Sequence, residues 1–367
     1  MLIRAPVLHE VNRPQVVEEV EVDEPKTSEV LVRVVASGVC HSCLSSARGD
    51  WEGTEVPGIL GDEGAGIVER VGAGVSTVRP GDHVILSWAP YCGRCHYCGL
   101  GRQVLCTAFP SKVWTATDGT CRFHLRDGRD VHHYAVTSYA PYTVIHESMA
   151  IKIDPEIPLE KAALFGCSIL TGAGSVLNTA GVRPGESLAV FGCGGVGLNA
   201  VQGGRLVSAN PLIAVDVADN KLEFARMLGA THLINAAKED TPSVVRSITA
   251  SPGVDFAVVC VGSTRAVEQA LRCLAPGGTC VVVGVPPTRE QLTGESLALL
   301  SGERRLTRSV YGSNRPSVDF PRLVGLYRAG KLKIDELVTR SYSIEQAEEA
   351  FDDLAAGQLA RGIIVHG

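Results

Sequence analysis

The chain has no strong excess of charge of either sign, no long apolar run at its start and no internal repeat. Its formal net charge is −6 over 367 residues, with acidic and basic residues interspersed, which argues against nucleic acid or an anionic membrane as a partner. The start, MLIRAPVLHEVNRP, is interrupted by Arg4, Pro6 and His9, so it predicts neither a signal peptide nor a transmembrane segment. We expect a soluble protein with a small-molecule partner.

A dense disulfide framework is also missing, because the 12 cysteines are spread through the whole chain. Secreted disulfide scaffolds are usually shorter and richer in cysteine, so this distribution favours a reducing, cytoplasmic compartment. The length exceeds what one ordinary core requires, and two domains are expected.

Four of the cysteines stand close together in the run CGRCHYCGLGRQVLC, at Cys92, Cys95, Cys98 and Cys106. An all-cysteine set of four is typical of a structural, tetrahedral zinc site that holds a loop in shape. Two disulfides, or buried small apolar residues, are the alternatives. Both are weaker, because the interleaved Gly93, Arg94 and His96 do not resemble core.

The organisation of the chain changes near residue 165. Before it, short β-rich runs such as EVLVRVVASGV and GDHVILSW alternate with glycine, which predicts an irregular barrel-like β domain. From Ser187 onward, strands such as SLAVFG and PLIAVD alternate with amphipathic helices, which predicts a parallel, doubly wound sheet. After about residue 310 the first style returns, with helices predicted around 320–329 and 344–355 and a last strand, GIIVH. The second domain is therefore predicted to be inserted into the first.

The run FGCGGVG follows the first apolar strand of the predicted parallel sheet and satisfies G-x-G-x-x-G. Such glycines allow a tight turn, close approach to a pyrophosphate and close helix packing; the run contains Gly192, Gly194, Gly195, Val196 and Gly197. The next strand ends at Asp216, where a carboxylate can bond both ribose hydroxyls of NAD and repel the 2′-phosphate of NADP. Lys221 could reach the adenosine ribose, or could be a solvated residue at a helix start. The alternative is a glycine-rich turn with an incidental acid.

A second metal site is suggested by Cys40 in GVCHS, Asp62 in LGDEG and Cys167 in FGCSIL. Three protein ligands with one open position would make a catalytic zinc site. These residues are far apart in sequence, and a lone thiol is often a small buried residue, so their spacing alone leaves the site open.

Taken in order, GVCHS, GDEGAGIVERVGAGV, the four-cysteine run, GCSILTGAGSVLNTAGVRPG, FGCGGVG and VDVADNKLEFARMLGAT make the chain resemble the zinc-containing medium-chain alcohol dehydrogenases. The resemblance implies a GroES-like catalytic domain at 1–168 and 310–367, with a zinc lobe at 91–107, and a Rossmann NAD-binding domain at 169–309. The run DGTCRFHLRDGRDVHHYAVTSYAPYTVIHES further resembles the liver-type and glutathione-dependent formaldehyde dehydrogenase branch, which implies a homodimer.

Carried over by position, the resemblance implies two zinc ions per chain and NAD. Cys40 and Cys167 match thiolate ligands of the catalytic zinc, and Ser42 matches the residue that bonds the substrate oxygen and begins a proton relay. The remaining matches are His41 and Arg361 for the NAD pyrophosphate, Val261 and Val285 beside the nicotinamide, and Trp88 and Tyr134 for the walls of the substrate channel. Both rings could instead simply fill core.

The chain departs from the family pattern at four positions. Asp62 replaces a histidine ligand, and Cys43 replaces an aspartate that would bond that histidine, so the two changes make sense together. Asp is shorter than His, so zinc would shift toward it or a water would bridge, and Glu63 could coordinate in some states. Ser45 replaces a histidine that passes the proton to solvent. Pro110 occupies the place of an arginine that binds the glutathione carboxylate, with Lys112 nearby, so a glutathione adduct is doubtful as substrate.

These residues imply a zinc-dependent alcohol dehydrogenase that transfers hydride reversibly between a primary alcohol, aromatic or extended aliphatic, and NAD. Two thiolates and a carboxylate around Zn2+ sum to −1, so we expect a raised pH optimum for oxidation. The alternatives are a biosynthetic carbonyl or iminium reductase of the same fold and a formaldehyde dehydrogenase that uses another thiol adduct. A less favoured alternative is an NAD-binding protein in which Asp62 marks a decayed site.

Overall fold

The structure is a computed structural model, and it describes residues 1–109, 113–250 and 252–367. The strands are β1 (Leu2–Val7), β2 (Val16–Val22), β3 (Glu29–Gly38), β4 (Gly58–Ile59), β5 (Gly64–Val71), β6 (His83–Leu86), β7 (Phe123–Leu125), β8 (Asp130–His133), β9 (Tyr142–His146), β10 (Ala150–Lys152), β11 (Leu188–Phe191), β12 (Leu212–Asp216), β13 (His232–Asn235), β14 (Val254–Val259), β15 (Leu274–Val282), β16 (Arg305–Arg308), β17 (Val338–Tyr342) and β18 (Arg361–Val365).

The α-helices are α1 (His41–Arg48), α2 (His96–Gly99), α3 (Leu159–Ala162), α4 (Ser168–Gly174), α5 (Gly195–Leu206), α6 (Asp219–Leu228), α7 (Thr241–Thr249), α8 (Thr264–Cys273), α9 (Gly294–Ala298), α10 (Pro316–Arg328) and α11 (Ala347–Ala355). Short 3-10 segments lie at Gln103–Leu105, Glu147–Met149, Ala163–Gly166, Tyr311–Ser313 and Ile344–Gln346, and a π-helical segment lies at Ser175–Ala180.

The chain divides into two compact units. The first unit comprises Met1–Cys167, Arg315–Gly325 and Ile334–Gly367, and the second comprises Ser168–Asn314 and Leu326–Lys333. The second unit thus interrupts the first in sequence.

The first unit is built on two largely antiparallel sheets. One has the order β1-β2-β7-β8-β4, and the other has the order β10-β6-β5-β3-β18-β17 with β9 also paired to β3. Strand β3, EVLVRVVASG, has β5 on one side and β9 and β18 on the other, and nearly all of its residues are buried. Branched apolar residues suit such a doubly covered strand. The chain leaves β3 at the interior of the unit, directly before Cys40.

The second unit holds a parallel sheet of order β13-β12-β11-β14-β15-β16. Strand β11, LAVF, is buried throughout and pairs with β12 on one side and β14 on the other. The direction in which the chain adds strands reverses at β11, and ligands of such sheets bind at the carboxyl ends of strands at this kind of switch point. The predicted pairing of a β-rich domain with a doubly wound parallel sheet is confirmed.

Apolar side chains form separate cores within the units. The main cluster of the first unit includes the thiols of Cys40, Cys43 and Cys167, so these sulfur atoms lie against a dry interior. The second unit is filled by apolar side chains of its sheet and of the helices that cover it. Among the described residues, no single helix has the length and hydropathy to span a membrane; the segments Leu159–Gly166 and Ser168–Ala180 meet that criterion only when taken together.

Candidate active site and metal centres

The four-cysteine run folds into a compact knot in the first unit. The sulfur atoms of its cysteines all lie within 4.8 Å of one another; the residues are Cys92, Cys95, Cys98 and Cys106. Cys95 Sγ and Cys106 Sγ are 3.8 Å apart, the separation of two ligands that each lie about 2.3 Å from a tetrahedral ion. The backbone N–H of Cys98 lowers the pKa of the Cys95 thiol to about 6, which favours the thiolate that a metal needs. The donor set and its geometry fit zinc.

Backbone N–H groups also point at the sulfur atoms of this knot. Cys92 N donates to Cys106 Sγ and Cys95 N donates to Cys92 Sγ, both at 3.3 Å. Such bonds orient thiolates and spread their charge. Helix α2 starts one residue after Cys95 and carries Cys98, so the helical turn sets the spacing of these two ligands.

A second cluster joins three residues that are distant in sequence. Cys40 precedes α1, Asp62 lies in the turn between β4 and β5, and Cys167 follows the 3-10 segment Ala163–Gly166. Their ligand atoms all lie within 4.8 Å of one another and all three residues are buried. Two sulfur atoms and one carboxylate are ligands that zinc accepts, and three ligands leave one position open.

The electrostatics of this cluster favour a bound cation. Burial raises the pKa of Asp62 above its usual value, while hydrogen bonds from Cys40 and Cys43 lower it. The hydrogen bond to Cys40, followed by burial, raises the pKa of the Cys167 thiol well above its usual value. Three potential anions in a dry pocket repel one another, and a divalent cation removes that penalty.

Glu63, the neighbour of Asp62, forms a buried ion pair with Arg361 at the start of β18. The Ser37 and Ser138 hydroxyls donate to Glu63 O at 2.8 and 2.6 Å and fix its backbone. A Cβ at Gly38 would collide with Glu63 Oε2. Strand β3 ends at Gly38, where the carboxylate of Glu63 occupies the space that a side chain would need.

Arg361 keeps one unused donor in this arrangement. Its Nε is buried and has no hydrogen-bond partner in the part of the chain that the structure describes. Burial lowers the pKa of the Arg361 guanidinium, and the nearby carboxylate of Glu63 raises it. The net effect is a pKa above the usual value for arginine. The group is therefore a permanent cation with a free N–H.

Helix α1 carries two of the predicted catalytic residues, Ser42 and Ser45, and the predicted cofactor-binding residue His41. His41 is exposed, Ser42 is half-buried and Ser45 is buried. Ser42 and Ser45 are three residues apart and therefore neighbours on one helix face. Cys43, on another face, donates its S–H to Asp62 Oδ1 at 3.4 Å. The sequence marked Cys43 as a departure from the family but did not indicate this contact.

The glycine-rich turn connects β11 to α5. Gly192 follows β11 with φ of 87°, a left-handed conformation that favours glycine, and a Cβ at Gly197 would collide with Gly192 O. Gly194 caps α5, and Gly195 and Val196 open its first turn. The free N–H groups of such a helix start form a site for phosphate.

Asp216 ends β12 and holds this turn in place. Its Oδ2 accepts from Cys193 N at 2.6 Å, and its Oδ1 accepts from Val217 N at 2.8 Å and Ala218 N at 3.0 Å. Lys221 lies in the first turn of α6 and is half-buried. The carboxylate is thus fixed beside the glycine-rich turn.

Two exposed valines lie at the carboxyl ends of β14 and β15. Val261 and Val285 are 41% and 37% exposed, and Val261 packs beside Gly192. A planar apolar ring can cover such side chains without losing hydrogen bonds.

The two predicted channel residues lie in different surroundings. Trp88 lines a cavity of about 230 Å³ together with Phe109, Val113 and Met149. Tyr134 is buried and packs on Trp114, with ring centroids 4.8 Å apart. Burial, then the charges of Asp62 and Cys43, raises the pKa of its hydroxyl well above the usual value, so Tyr134 lies near the second cluster. Pro110 and Lys112 lie outside the described residues.

Sequence reasoning missed two contributors to this region. Gly38 is one of 40 glycines, and only its position two residues before Cys40 could have drawn attention to it. Tyr139 is fully buried near Cys43 and Asp62, and burial raises the pKa of its hydroxyl well above the usual value. No motif in the sequence singles out this tyrosine.

A parallel sheet of the kind that binds nucleotides, together with two groups of side chains that could hold metal ions, is typical of a metal-dependent dehydrogenase. The family model for an alcohol dehydrogenase GroES-like domain matches residues 26–155, and that for a zinc-binding dehydrogenase matches residues 195–328. The chain belongs to the zinc-containing medium-chain alcohol dehydrogenase family, as its motifs predicted.

Relatives match along the full length of the chain but differ in substrate. The chain is 38% identical over 373 residues to the NDMA-dependent alcohol dehydrogenase of Amycolatopsis methanolica, covering 100% of this chain and 99% of that protein. It is 36% identical over 377 residues to the S-(hydroxymethyl)glutathione dehydrogenase of Paracoccus denitrificans, covering 100% of both. The crystal structure of benzyl alcohol dehydrogenase from Acinetobacter calcoaceticus is similar with a TM-score of 0.92 and 33% identity, covering 100% of both chains.

Proposed function

We propose that this chain catalyses reversible hydride transfer between a primary alcohol, aromatic or extended aliphatic, and NAD. The observation that carries the proposal is the buried cluster of Cys40, Asp62 and Cys167, which offers three zinc ligands and one open position. Zinc held by these residues would supply Lewis-acid polarisation of the substrate oxygen, and NAD would serve as the hydride acceptor. The four-cysteine knot would hold a second, structural zinc.

The residues of α1 would handle the proton. Ser42 would accept the proton of the alcohol and pass it to a ribose hydroxyl of NAD, and Ser45 would pass it from there toward solvent. A serine hydroxyl can relay a proton but cannot store one near neutral pH, so solvent would receive it. Glu63 would keep the cationic Arg361 in place, and the free Nε of Arg361 suits an anion such as the NAD pyrophosphate, as does His41.

The preference for NAD would come from Asp216. Its carboxylate is fixed by three backbone N–H groups beside the glycine-rich turn, where it would accept from ribose hydroxyls and repel a 2′-phosphate. Lys221 would reach the same ribose, and Val261 and Val285 would cover the nicotinamide. Replacing Asp216 with Asn should reduce the preference for NAD over NADP tenfold or more, which corresponds to about 1.4 kcal/mol.

The preference for an aromatic or extended substrate rests on the match of Trp88 to a wall of the substrate channel. The cavity beside Trp88 is lined by aromatic and aliphatic side chains together with His133, His146 and Cys106 of the knot, and by none of the residues of the second cluster. The similar benzyl alcohol dehydrogenase acts on an aromatic alcohol by its name. Trp88→Ala should therefore reduce kcat/KM for benzyl alcohol more than for ethanol.

The test is a substrate panel on zinc-analysed protein. Primary alcohols, aldehydes, cyclic imines and S-(hydroxymethyl)glutathione should be assayed with NAD and with NADP, and with and without NDMA. We expect oxidation of benzyl-type or long-chain alcohols with NAD, and its loss in Asp62→Ala. Turnover restricted to S-(hydroxymethyl)glutathione would favour the activity named for the relative from Paracoccus denitrificans, and turnover restricted to imines or carbonyls would favour a biosynthetic reductase.

The homodimer implied by the branch resemblance is proposed as well. Light scattering on the purified chain should give twice the mass of one chain. A monomer would contradict the proposed homodimer and weaken the assignment of the chain to the liver-type branch.

A further inference from the structure

Cys43 contacts the candidate ligand Asp62 but does not belong to either group of candidate metal ligands. Cys43 is fully buried, and its S–H donates to Asp62 Oδ1 at 3.4 Å. Cys43 stands outside the cluster in which Cys40, Asp62 and Cys167 have all ligand atoms within 4.8 Å of one another. The thiol therefore contacts a ligand rather than sharing the ion.

The fold presents Cys40 and Cys43 from one helical turn. Cys40 caps α1, and Leu44 N donates to Cys40 O at 3.3 Å, so the turn is closed around both cysteines. Residues three apart lie on the same side of a helix. One turn thus supplies a ligand to the ion and a hydrogen-bond donor to a second ligand.

Apolar side chains surround the Cys43 thiol. Cys43 belongs to the apolar cluster that also contains Leu44 and Tyr139, and it is fully buried, so its contact with Asp62 is shielded from water. The Tyr139 hydroxyl is buried within hydrogen-bonding reach of the Cys43 thiol, and the sulfur atom of Cys43 is a weak acceptor for it.

We propose that Cys43 is a positioning residue that occupies one oxygen of Asp62 and leaves the other oxygen to bind the metal ion. A carboxylate that binds through both oxygens would take the position left for substrate, so this hydrogen bond keeps the site open. The inference rests on the proposed metal site, but it concerns how the ligand is held and not which substrate is used.

The test replaces the catalytic ion with Co2+ in the full chain while the four-cysteine knot retains zinc. Cys43→Ala and Cys43→Val remove the donor, and Val fills the space if Ala does not fold. Cys43→Ser keeps a donor. The matched control is Cys121→Ala, which removes another buried thiol of the same unit whose neighbour is His132 and not a candidate ligand. Zinc in the knot reports folding in every variant.

We expect the donor-free variants to bind Co2+ tenfold to a hundredfold more weakly in chelator competition, the usual effect of losing a residue that orients a ligand. Their ligand-field bands should shift, whereas the thiolate-to-cobalt charge-transfer intensity should stay at two thiolates. Cys43→Ser and Cys121→Ala should bind Co2+ within about threefold of the parent, less than about 0.7 kcal/mol.

Two results overturn the proposal. Unchanged Co2+ affinity and ligand-field bands in Cys43→Ala or Cys43→Val would show that the hydrogen bond does not position Asp62. A loss of charge-transfer intensity in those variants would make Cys43 a ligand. Failure of the metal site itself differs from both, because the parent chain would then bind no Co2+ outside the knot.

Discussion

The buried ion pair of Glu63 and Arg361 allows a quantitative prediction. Side chains of Glu63 and Arg361 are 0% and 4% exposed, so removing the negative partner leaves a cation in a dry interior. Breaking a buried pair in this way costs about 3–5 kcal/mol. Glu63→Gln keeps the shape and one acceptor oxygen, so we take the lower end, about 3 kcal/mol.

Thermal unfolding of zinc-saturated protein measures this cost. For a domain of roughly 150–250 residues, each kcal/mol moves the melting temperature by about 2–4 °C, so Glu63→Gln should lower it by roughly 6–12 °C. The matched control is Glu345→Gln, since Glu345 pairs with Arg4 at 3.4 Å with both side chains more than half exposed. An exposed pair contributes about 1 kcal/mol or less, so the control should melt within a few degrees of the parent.

A double-mutant cycle separates the pair from other effects. In Glu63→Gln with Arg361→Gln, the buried charge is gone, so the double variant should be more stable than the sum of the two single losses predicts. The reasoning is refuted if Glu63→Gln melts within 2 °C of the parent, or if the two losses simply add.

Gly38, His133 and Asp62 each allow a further prediction. Gly38→Ala should destabilise the first unit by about 1–3 kcal/mol, because its Cβ collides with Glu63. Gly325→Ala should be neutral or stabilising in the same melt, because Gly325 is an exposed residue of α10 with open space around its Cβ. Burial lowers the pKa of His133 to about 3, so its contribution to stability is present above the unfolded pKa of about 6.5 and is lost as the pH falls toward 3; His133→Gln should flatten the fall of the melting temperature from pH 6.5 to 4. Asp62→His should move the pH optimum of alcohol oxidation downward, because it removes one negative charge from the ligand set.

Each of these has a contrary outcome. Equal melting temperatures for both glycine variants would mean that the crowding at β3 is relieved at no cost. If the melting temperature of His133→Gln falls as steeply with decreasing pH as that of the parent, groups other than His133 cause the destabilisation by acid. An unmoved pH-rate profile in Asp62→His would mean that the carboxylate does not tune the site.

The local sequence pattern was sufficient to predict the elements whose structure depends mainly on their own residues. The apolar runs of β11 and β12 and the glycines after β11 predict the parallel sheet and its turn, because burial and backbone freedom act within a few residues. The helix expected at 320–329 is α10, which begins at Pro316, since proline suits the first turn of a helix. The helix expected at 344–355 is split into a 3-10 turn and α11.

Contacts between distant residues could not be predicted in this way. Glu63 and Arg361 are 298 residues apart, and no local pattern reports such a pair. Strands β7 and β8 have three and four residues and are stabilised by pairing with β2 and β4, so their own sequences carry little signal. The spacing of Cys40, Asp62 and Cys167 left the second metal site open and only the family resemblance favoured it, whereas the fold brings the three residues together.

In our proposal, Asp62 and two thiols form a metal site distinct from the four-cysteine knot. Anomalous X-ray scattering at the zinc edge on crystals of the chain tests it most directly. The account predicts two peaks per chain, one within the knot and one bounded by Cys40 Sγ, Cys167 Sγ and an oxygen of Asp62 at about 2.0–2.2 Å. A single peak in the knot, or a second peak with no Asp62 oxygen at bonding distance, would contradict it.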